Sequence, residues 1–135
     1  MTKKIISTDK APAAIGPYSQ AVRSGDLLFI SGQIPLDPAS GDVVSLDFSM
    51  QVIQVLDNFE AVLQAAGVGW GEVVKTTVYL TDLGRFAEFN ALYAKRFTSE
   101  PPARAVVQVS ALPKGVQVEM EGIVGLKPYK AVYIS

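Results

Sequence analysis

Hydrophobic positions recur at helical spacing in two segments of the chain. From Phe48 to Ala66 apolar residues return every three or four positions, which predicts one long amphipathic helix that ends at Gly67. A second, shorter segment follows Asp82, whose side chain suits the N-cap of a helix. Its apolar stripe consists of Phe86, Phe89, Tyr93 and Phe97. The pattern therefore predicts two helices that each bury one face.

Runs of β-branched residues and alternating apolar positions predict strands elsewhere. The predicted strands are Lys4–Ser7, Tyr18–Arg23, Leu27–Ile30, Glu72–Leu80, Ala103–Val109 and Val116–Val124. Leu27–Ile30 is a continuous apolar run, which is typical of a buried strand, and the turn at residues 24–26 joins it to the preceding strand as a hairpin. This order of elements predicts an α+β fold with both helices on one face of a mixed sheet.

Composition and charge narrow the class of protein. The 135 residues, 49% hydrophobic and 19% charged, predict a single packed domain over residues 1–135. The formal net charge of −1 argues against a nucleic-acid partner, because proteins that bind nucleic acid carry a basic surface. No apolar run approaches the roughly 18 residues that a membrane span needs, and no secretory signal is evident. We therefore expect a soluble, cytoplasmic protein without a membrane partner.

The chain has neither cysteine nor histidine. Thiolate nucleophiles, serine–histidine triads and metal sites built from these residues are excluded, and we expect no metal. Any acid–base chemistry has to come from carboxylates, tyrosine, lysine or bound water.

Two kinds of charged side chain stand out as candidates for chemistry. Arg104 follows two prolines at the start of a predicted strand, and its planar guanidinium suits a carboxylate or a phosphate, although an ordinary ion pair would also explain it. Glu119 and Glu121 lie two residues apart on the last strand, so both leave the same face of the sheet. They form either a solvent-facing acidic row or, where one lies near an electrophile, a base for water.

Four further residues are weaker candidates. Tyr18 follows a Gly-Pro turn, where its phenol can donate a hydrogen bond or simply pack. Ser31 and Gly32 end a predicted strand, and glycine there permits a bulge or the close approach of a ligand. Asn90 lies on the apolar stripe of the second helix, where a buried amide ties helix to sheet or contacts a substrate.

The order of motifs along the chain resembles the RidA family, also called YjgF, which contains 2-iminobutanoate/2-iminopropanoate deaminases. The matching segments are APAAIGPYSQAV, SGQIPLDPASG, LQAAG, VVKTTVYLTDL, FNALYAKRF, PPARAVVQVSALPKG and VEMEGI. The resemblance covers about residues 5–126 and leaves residues 127–135 as an extension. It implies a six-stranded mixed sheet backed by two helices, similar to one class of chorismate mutase, and a homotrimer with ligand clefts between subunits.

The resemblance also implies roles for particular residues. Arg104 would clamp the substrate carboxylate and Glu119 would handle the attacking water, while Tyr18 and Gly32 would close the cleft from the neighbouring subunit. Two positions depart from common family patterns: Ala105 lacks a hydroxyl, and Val106 stands where some relatives have cysteine. Val106 can still offer its backbone groups to a ligand.

These residues predict hydrolysis of reactive 2-imino and 2-enamino acids to 2-oxo acids and ammonia, without a cofactor. Three alternatives remain at this stage. A trimer could bind 2-oxo acids as signals without catalysis, in which case Glu119 would be dispensable. An endoribonuclease would require more positive charge, and a chorismate-mutase-like enzyme would require more than the one well-placed arginine evident here.

Overall fold

The computed structural model describes residues 3–126, and the extension at residues 127–135 lies outside this range. Six strands and two α-helices follow one another along the chain. They are β1 (Lys4–Ile6), β2 (Ala21–Ser24), β3 (Leu27–Gln33), α1 (Phe48–Ala65), β4 (Val73–Leu80), α2 (Phe86–Ala94), β5 (Ala103–Gln108) and β6 (Val118–Gly125). Short 3-10 turns precede β4, α2 and β6.

The strands form one six-stranded sheet in the order β1-β2-β3-β6-β4-β5. The pair β4 and β5 is parallel and the other four pairs are antiparallel, so the sheet is mixed. Both helices pack against the same face of this sheet and against each other. The predicted α+β fold with two helices on one face is therefore confirmed.

Helix α1 begins and ends close to where the sequence predicts. The Asp47 carboxylate accepts a hydrogen bond of 3.0 Å from the amide of Met50 and so caps the N-terminus of α1. At the other end Gly67 has a φ of +76°, the left-handed conformation that favours glycine after a helix. The buried stripe of α1 includes Phe59, which has no exposed surface. The ring of Phe59 contacts the sheet at Gly122, where an added Cβ would lie 2.6 Å from Cζ.

The prediction that Leu27–Ile30 is buried is wrong for half of its residues. The strand extends to Gln33, and its side chains alternate: Leu28 and Ile30 are in the core, whereas Leu27 and Phe29 are 42% and 43% exposed. The physical reason is that a strand sends successive side chains to opposite faces, and helices cover only one face here. Of the possibilities that glycine at position 32 permits, the structure shows an irregularity, a register shift between Ile30 and Gln33.

Several other element boundaries differ from the prediction. Tyr18 lies in a loop rather than at the start of a strand, because the chain turns at Gly16, with a φ of +124°, and β2 begins only at Ala21. Asp82 caps a 3-10 turn that precedes α2, and the helix ends before Phe97. The last strand starts at Val118.

An apolar row crosses the sheet face that lacks helices, which we call the open face. Ile5 pairs with Val22, Val22 with Phe29, and Phe29 with Ile123, so four strands contribute one residue each. Ile5 is 50% exposed in the single chain. Phe29 is 43% exposed, and Val22 and Ile123 are half-buried. A contiguous apolar row on an uncovered sheet face is typical of a surface that contacts another protein.

Candidate functional site

Arg104 lies on the helix-covered face of the sheet, near its edge. Its Nη1 donates a hydrogen bond of 2.8 Å to Asn90 Oδ1, and its Cζ lies 4.8 Å from the centre of the Tyr93 ring and 5.5 Å from that of Phe86. All three contacts come from α2, where residues 86, 90 and 93 share one helical face. A cleft of about 440 Å³ opens beside the guanidinium, between α2 and Pro101–Pro102.

Of the two roles considered for Asn90, the structure shows the link between helix and sheet. Its carbonyl oxygen accepts the hydrogen bond from Arg104, which links α2 to β5. Within residues 3–126, Nη2 and Nε of Arg104 have no recorded partner. The guanidinium is thus fixed on one side and offers its remaining donors to the cleft.

Glu119 lies on the open face of β6, as the alternation with buried Val118 and Met120 predicts. Its carboxylate lies against the backbone of Gly32 in β3, where an added Cβ would stand 2.9 Å from the carboxyl carbon. Glycine at position 32 therefore provides the space that this carboxylate occupies.

The electrostatic environment of Glu119 disfavours its charged form. Partial burial, and secondly the negative charge of Glu121, raise the pKa of Glu119 above its ordinary value. No donor among residues 3–126 has a recorded hydrogen bond to it. Tyr79, which stands opposite Glu119 in β4, instead donates a hydrogen bond of 3.0 Å to Glu121. Glu119 is thus a half-buried carboxyl group that accepts no hydrogen bond from the described part of the chain.

The loop that carries Tyr18 is held by two neighbouring side chains. Ser31 donates its hydroxyl proton to the carbonyl of Ser19. Gln20 is 4% exposed, accepts from the amide of Thr8 at 2.7 Å and donates to the carbonyl of Pro12 at 2.7 Å. The polar groups of Ser31 and Gln20 therefore form hydrogen bonds that hold the loop in place. Substrate binding by Ser31 stays a prediction.

Tyr18 and Gly32 line one cavity of about 240 Å³, together with apolar side chains, Gln20, Gln33 and Lys114. Within a single chain this cavity is separate from the Arg104 cleft, whose lining residues are all different.

The structure thus gathers the predicted site residues into two groups. One group, Arg104 with Asn90, lies on the helix-covered side, and Val106 on the same strand packs against the core. The other group, Glu119 with Gly32, lies on the open face, two strands away from β5. Residues 3–126 of one chain do not bring Arg104 and Glu119 together. The predicted division of the site between subunits stays a prediction, with the constraint that Gly32 and Glu119 meet within one chain.

Sequence reasoning did not assign roles to two residues that support this site. Thr76 is fully buried and lies beside Arg104 in the register of β4 and β5. Gln20 is the last residue of the GPYSQ motif and holds its loop. Membership of the GPYSQ motif could have drawn attention to Gln20. No sequence pattern marks Thr76, because only the parallel pairing of β4 and β5 brings it next to Arg104.

Other classes of site receive no support from residues 3–126. No helix in this range has the length and apolar character needed to cross a membrane. The same residues contain no cluster of three or more acidic side chains arranged to hold a metal ion.

The fold and the site geometry define a small α+β protein with an arginine cleft and an open sheet face that carries both an apolar row and the Glu119 carboxylate. A family model described as Endoribonuclease L-PSP matches residues 8–126. The chain belongs to this family, the RidA (YjgF) family.

Individual relatives extend this comparison. The chain is 48% identical over 127 residues to a 2-iminobutanoate/2-iminopropanoate deaminase from Mus musculus, covering 94% of each protein. Among solved structures, a Rid family protein, YyfA, from Yersinia pestis superposes with a TM-score of 0.91 at 47% identity, covering 93% of this chain and all of that one. TdcF from E. coli with bound serine has a TM-score of 0.87 at 42% identity, covering 92% and 99% of the two chains.

The environment of Glu119 leads to a prediction about its titration. We expect carboxyl-carbon NMR to give Glu119 a higher pKa than Glu88, because Ser49 and Arg85 lower the pKa of Glu88. The variant Glu121→Gln should lower the pKa of Glu119, since it removes a nearby negative charge, and should leave Glu88 unchanged. A Glu119 that titrates at or below Glu88 would contradict the described environment.

Proposed function

We propose that this protein hydrolyses 2-imino and 2-enamino acids to 2-oxo acids and ammonia. The observation that carries the proposal is the half-buried, unpartnered carboxyl group of Glu119, whose raised pKa makes it a stronger base for water. The mouse relative supports the same reaction class by its name. The serine bound to TdcF supports a small ligand that carries a carboxylate.

Each charged group has one task in this reaction. Arg104 pairs with the substrate carboxylate through its unused donors and so orients the imine carbon.

The backbone of Val106 lies on the same side of the site as Arg104 and as Asn90, which holds Nη1 of that arginine. The amide of Val109 donates a hydrogen bond to the carbonyl of Leu80 on β4. Consecutive residues of a strand point their amides to opposite edges, and Val106 lies three residues before Val109. The amide of Val106 is therefore expected to face away from β4 and toward ligand.

The proton transfers balance with one base. Water adds its oxygen to the carbon of the protonated imine and gives a proton to the Glu119 carboxylate, while the electron pair of the C=N bond moves to nitrogen. Glu119 then passes that proton to the nitrogen of the carbinolamine. Collapse of the carbinolamine forms the C=O bond and expels ammonia, while Glu119 takes the hydroxyl proton and passes it to the ammonia. The ammonia leaves as ammonium, and Glu119 returns to its carboxylate form. Tyr18 lines the cavity next to Gly32 and closes this side of the site.

A second copy of the chain completes the site in this proposal. Arg104 and Glu119 lie on opposite faces of one sheet, so they act on the same substrate only where two chains meet. The exposed apolar row from Ile5 to Ile123 supplies a surface for such contact. We propose a homotrimer in which Arg104 of one subunit faces Glu119 and Gly32 of the next, in line with the interfacial clefts that the family resemblance implies.

Assembly is tested by sedimentation at micromolar concentration, where we expect a trimer. The variant Phe29→Lys places a charge in the apolar row and should shift the protein toward monomer, with parallel loss of activity. Leu46→Lys is the matched control, because Leu46 is 90% exposed and lies outside that row. A wild-type protein that sediments as a stable monomer would refute both the trimer and the shared site.

Catalysis is tested by a coupled assay in which a threonine dehydratase generates the imine and semicarbazide competes for it. Glu119→Gln should lower the rate by about 100-fold or more, within the usual contribution of a general base. Glu121→Gln should cost less than about 10-fold, because it only lowers the pKa of its neighbour. Both variants should remain trimeric. A wild-type protein that binds 2-oxobutanoate but does not accelerate imine hydrolysis would favour the non-catalytic binding protein instead, and a fully active Glu119→Gln protein would show that Glu119 is not the base.

The carboxylate clamp is tested by Arg104→Lys. Lysine keeps the charge but lacks the planar pair of donors, so we expect kcat/KM to fall by roughly 10- to 100-fold. The affinity for 2-oxobutanoate in calorimetry should fall in parallel, because the product carries the same carboxylate. Unchanged affinity would show that Arg104 does not hold that carboxylate.

A further inference from the structure

We propose that Tyr93 and Thr76 are positioning residues that hold the Arg104 guanidinium in the orientation needed to receive a carboxylate. This inference rests on the proposed function, since it assigns to Arg104 the clamping of a 2-oxo or 2-imino acid. It adds two residues that act through Arg104.

Three residues from three elements are linked by one backbone pairing and two side-chain contacts. Arg104 on β5 is registered with Thr76 on β4. Thr76 Oγ1 and the Tyr93 hydroxyl are 2.7 Å apart in a hydrogen bond, and the Tyr93 ring lies below the guanidinium with 4.8 Å between ring centre and Cζ. These links therefore join the base of the Arg104 side chain to its charged end through α2.

Burial gives the Thr76–Tyr93 hydrogen bond its rigidity. Thr76 is 0% exposed and Tyr93 is 5% exposed, so water is not available as a substitute partner for either hydroxyl. A buried hydroxyl without its partner is costly, which keeps the phenol in this one position. The Tyr93 ring also packs against Phe89 and Phe97 at 5.4 and 4.7 Å between centres, which limits its rotation.

Stacking on Tyr93 and the bond to Asn90 restrict different movements of the guanidinium. An aromatic face attracts the cation and fixes its height above the ring, but permits rotation within its own plane. The hydrogen bond from Nη1 to Asn90 removes that rotation. Among residues 3–126 neither Nη2 nor Nε is engaged in such a hydrogen bond, and these two nitrogens are a pair of donors that a carboxylate can accept from.

A second arginine provides a matched control within the same structure. The Cζ of Arg96 lies 5.8 Å from the centre of the Trp70 ring, and the indole of Trp70 donates a hydrogen bond of 2.7 Å to Glu60. The variant Trp70→Phe therefore removes one aromatic hydrogen bond beside an arginine, as Tyr93→Phe does. Arg96 is already paired with Asp57 and Glu60, so the change should affect stability without affecting the Arg104 clamp.

The experiment measures 2-oxobutanoate affinity by calorimetry, with thermal unfolding of every variant. Tyr93→Phe and Thr76→Val should each weaken binding by about 3- to 10-fold and raise KM more than they lower kcat. Thr76→Ser keeps the hydroxyl and should bind like wild type. Trp70→Phe should bind like wild type even where it lowers the unfolding temperature. In an Arg104→Ala background Tyr93→Phe should cause no further loss, because its effect passes through the guanidinium.

Each unexpected binding result contradicts a particular part of the proposal. Unchanged binding in Tyr93→Phe and Thr76→Val, beside weakened binding in Arg104→Lys, overturns the positioning role and leaves the proposed function standing. Unchanged binding in Arg104→Lys overturns both. An equal loss in Trp70→Phe, or a further loss in the Arg104→Ala background, shows a general structural effect and also overturns the positioning role. If Tyr93→Phe fails to fold, the contrast between Thr76→Val and Thr76→Ser decides the question.

Discussion

The alternation of side chains along a strand is the constraint on which this structure depends. Helices cover one face of the six-stranded sheet, so every strand carries a core-facing set and an open-face set of residues. On β6 this rule sends Val118 and Met120 into the core and Glu119 to the open face. On β5 it sends Arg104 toward α2. The two charged groups of the site are thereby separated within a chain.

The separation has an electrostatic consequence. An arginine and a glutamate on the same face would tend to pair with each other, and each would then be less available to a substrate. Here Arg104 is instead held by a neutral amide and two aromatic rings, which keep its positive charge unneutralised. Glu119 lies against the backbone of Gly32, and the negative charge of Glu121 adds to the effect of burial in raising its pKa. Both groups retain their capacity to interact with a ligand.

The sequence predicted the elements of the fold because their patterns are local. The stripe from Phe48 to Ala66 determines α1 by its period alone, and Gly67 ends the helix by its backbone conformation. The exposure of Phe29 was mispredicted because an apolar run contains no information about which face will be covered. The pairing of Thr76 with Arg104 was likewise inaccessible, since it arises from the register of two parallel strands that lie far apart in sequence.

The difference between local sequence patterns and long-range geometry also explains how far the site could be predicted. Arg104, Glu119, Tyr18 and Gly32 came from motifs, and motifs identify residue types without their geometry. The structure adds that Gly32 leaves room for Glu119 and that α2 holds Arg104 through residues spaced three and four apart. A cleft with a fixed cation on one wall and a basic carboxylate on the other requires those walls to come from different surfaces. In the proposed trimer the apolar row of the open face would bring the two surfaces together, so the packing that buries Phe29 would also assemble the site.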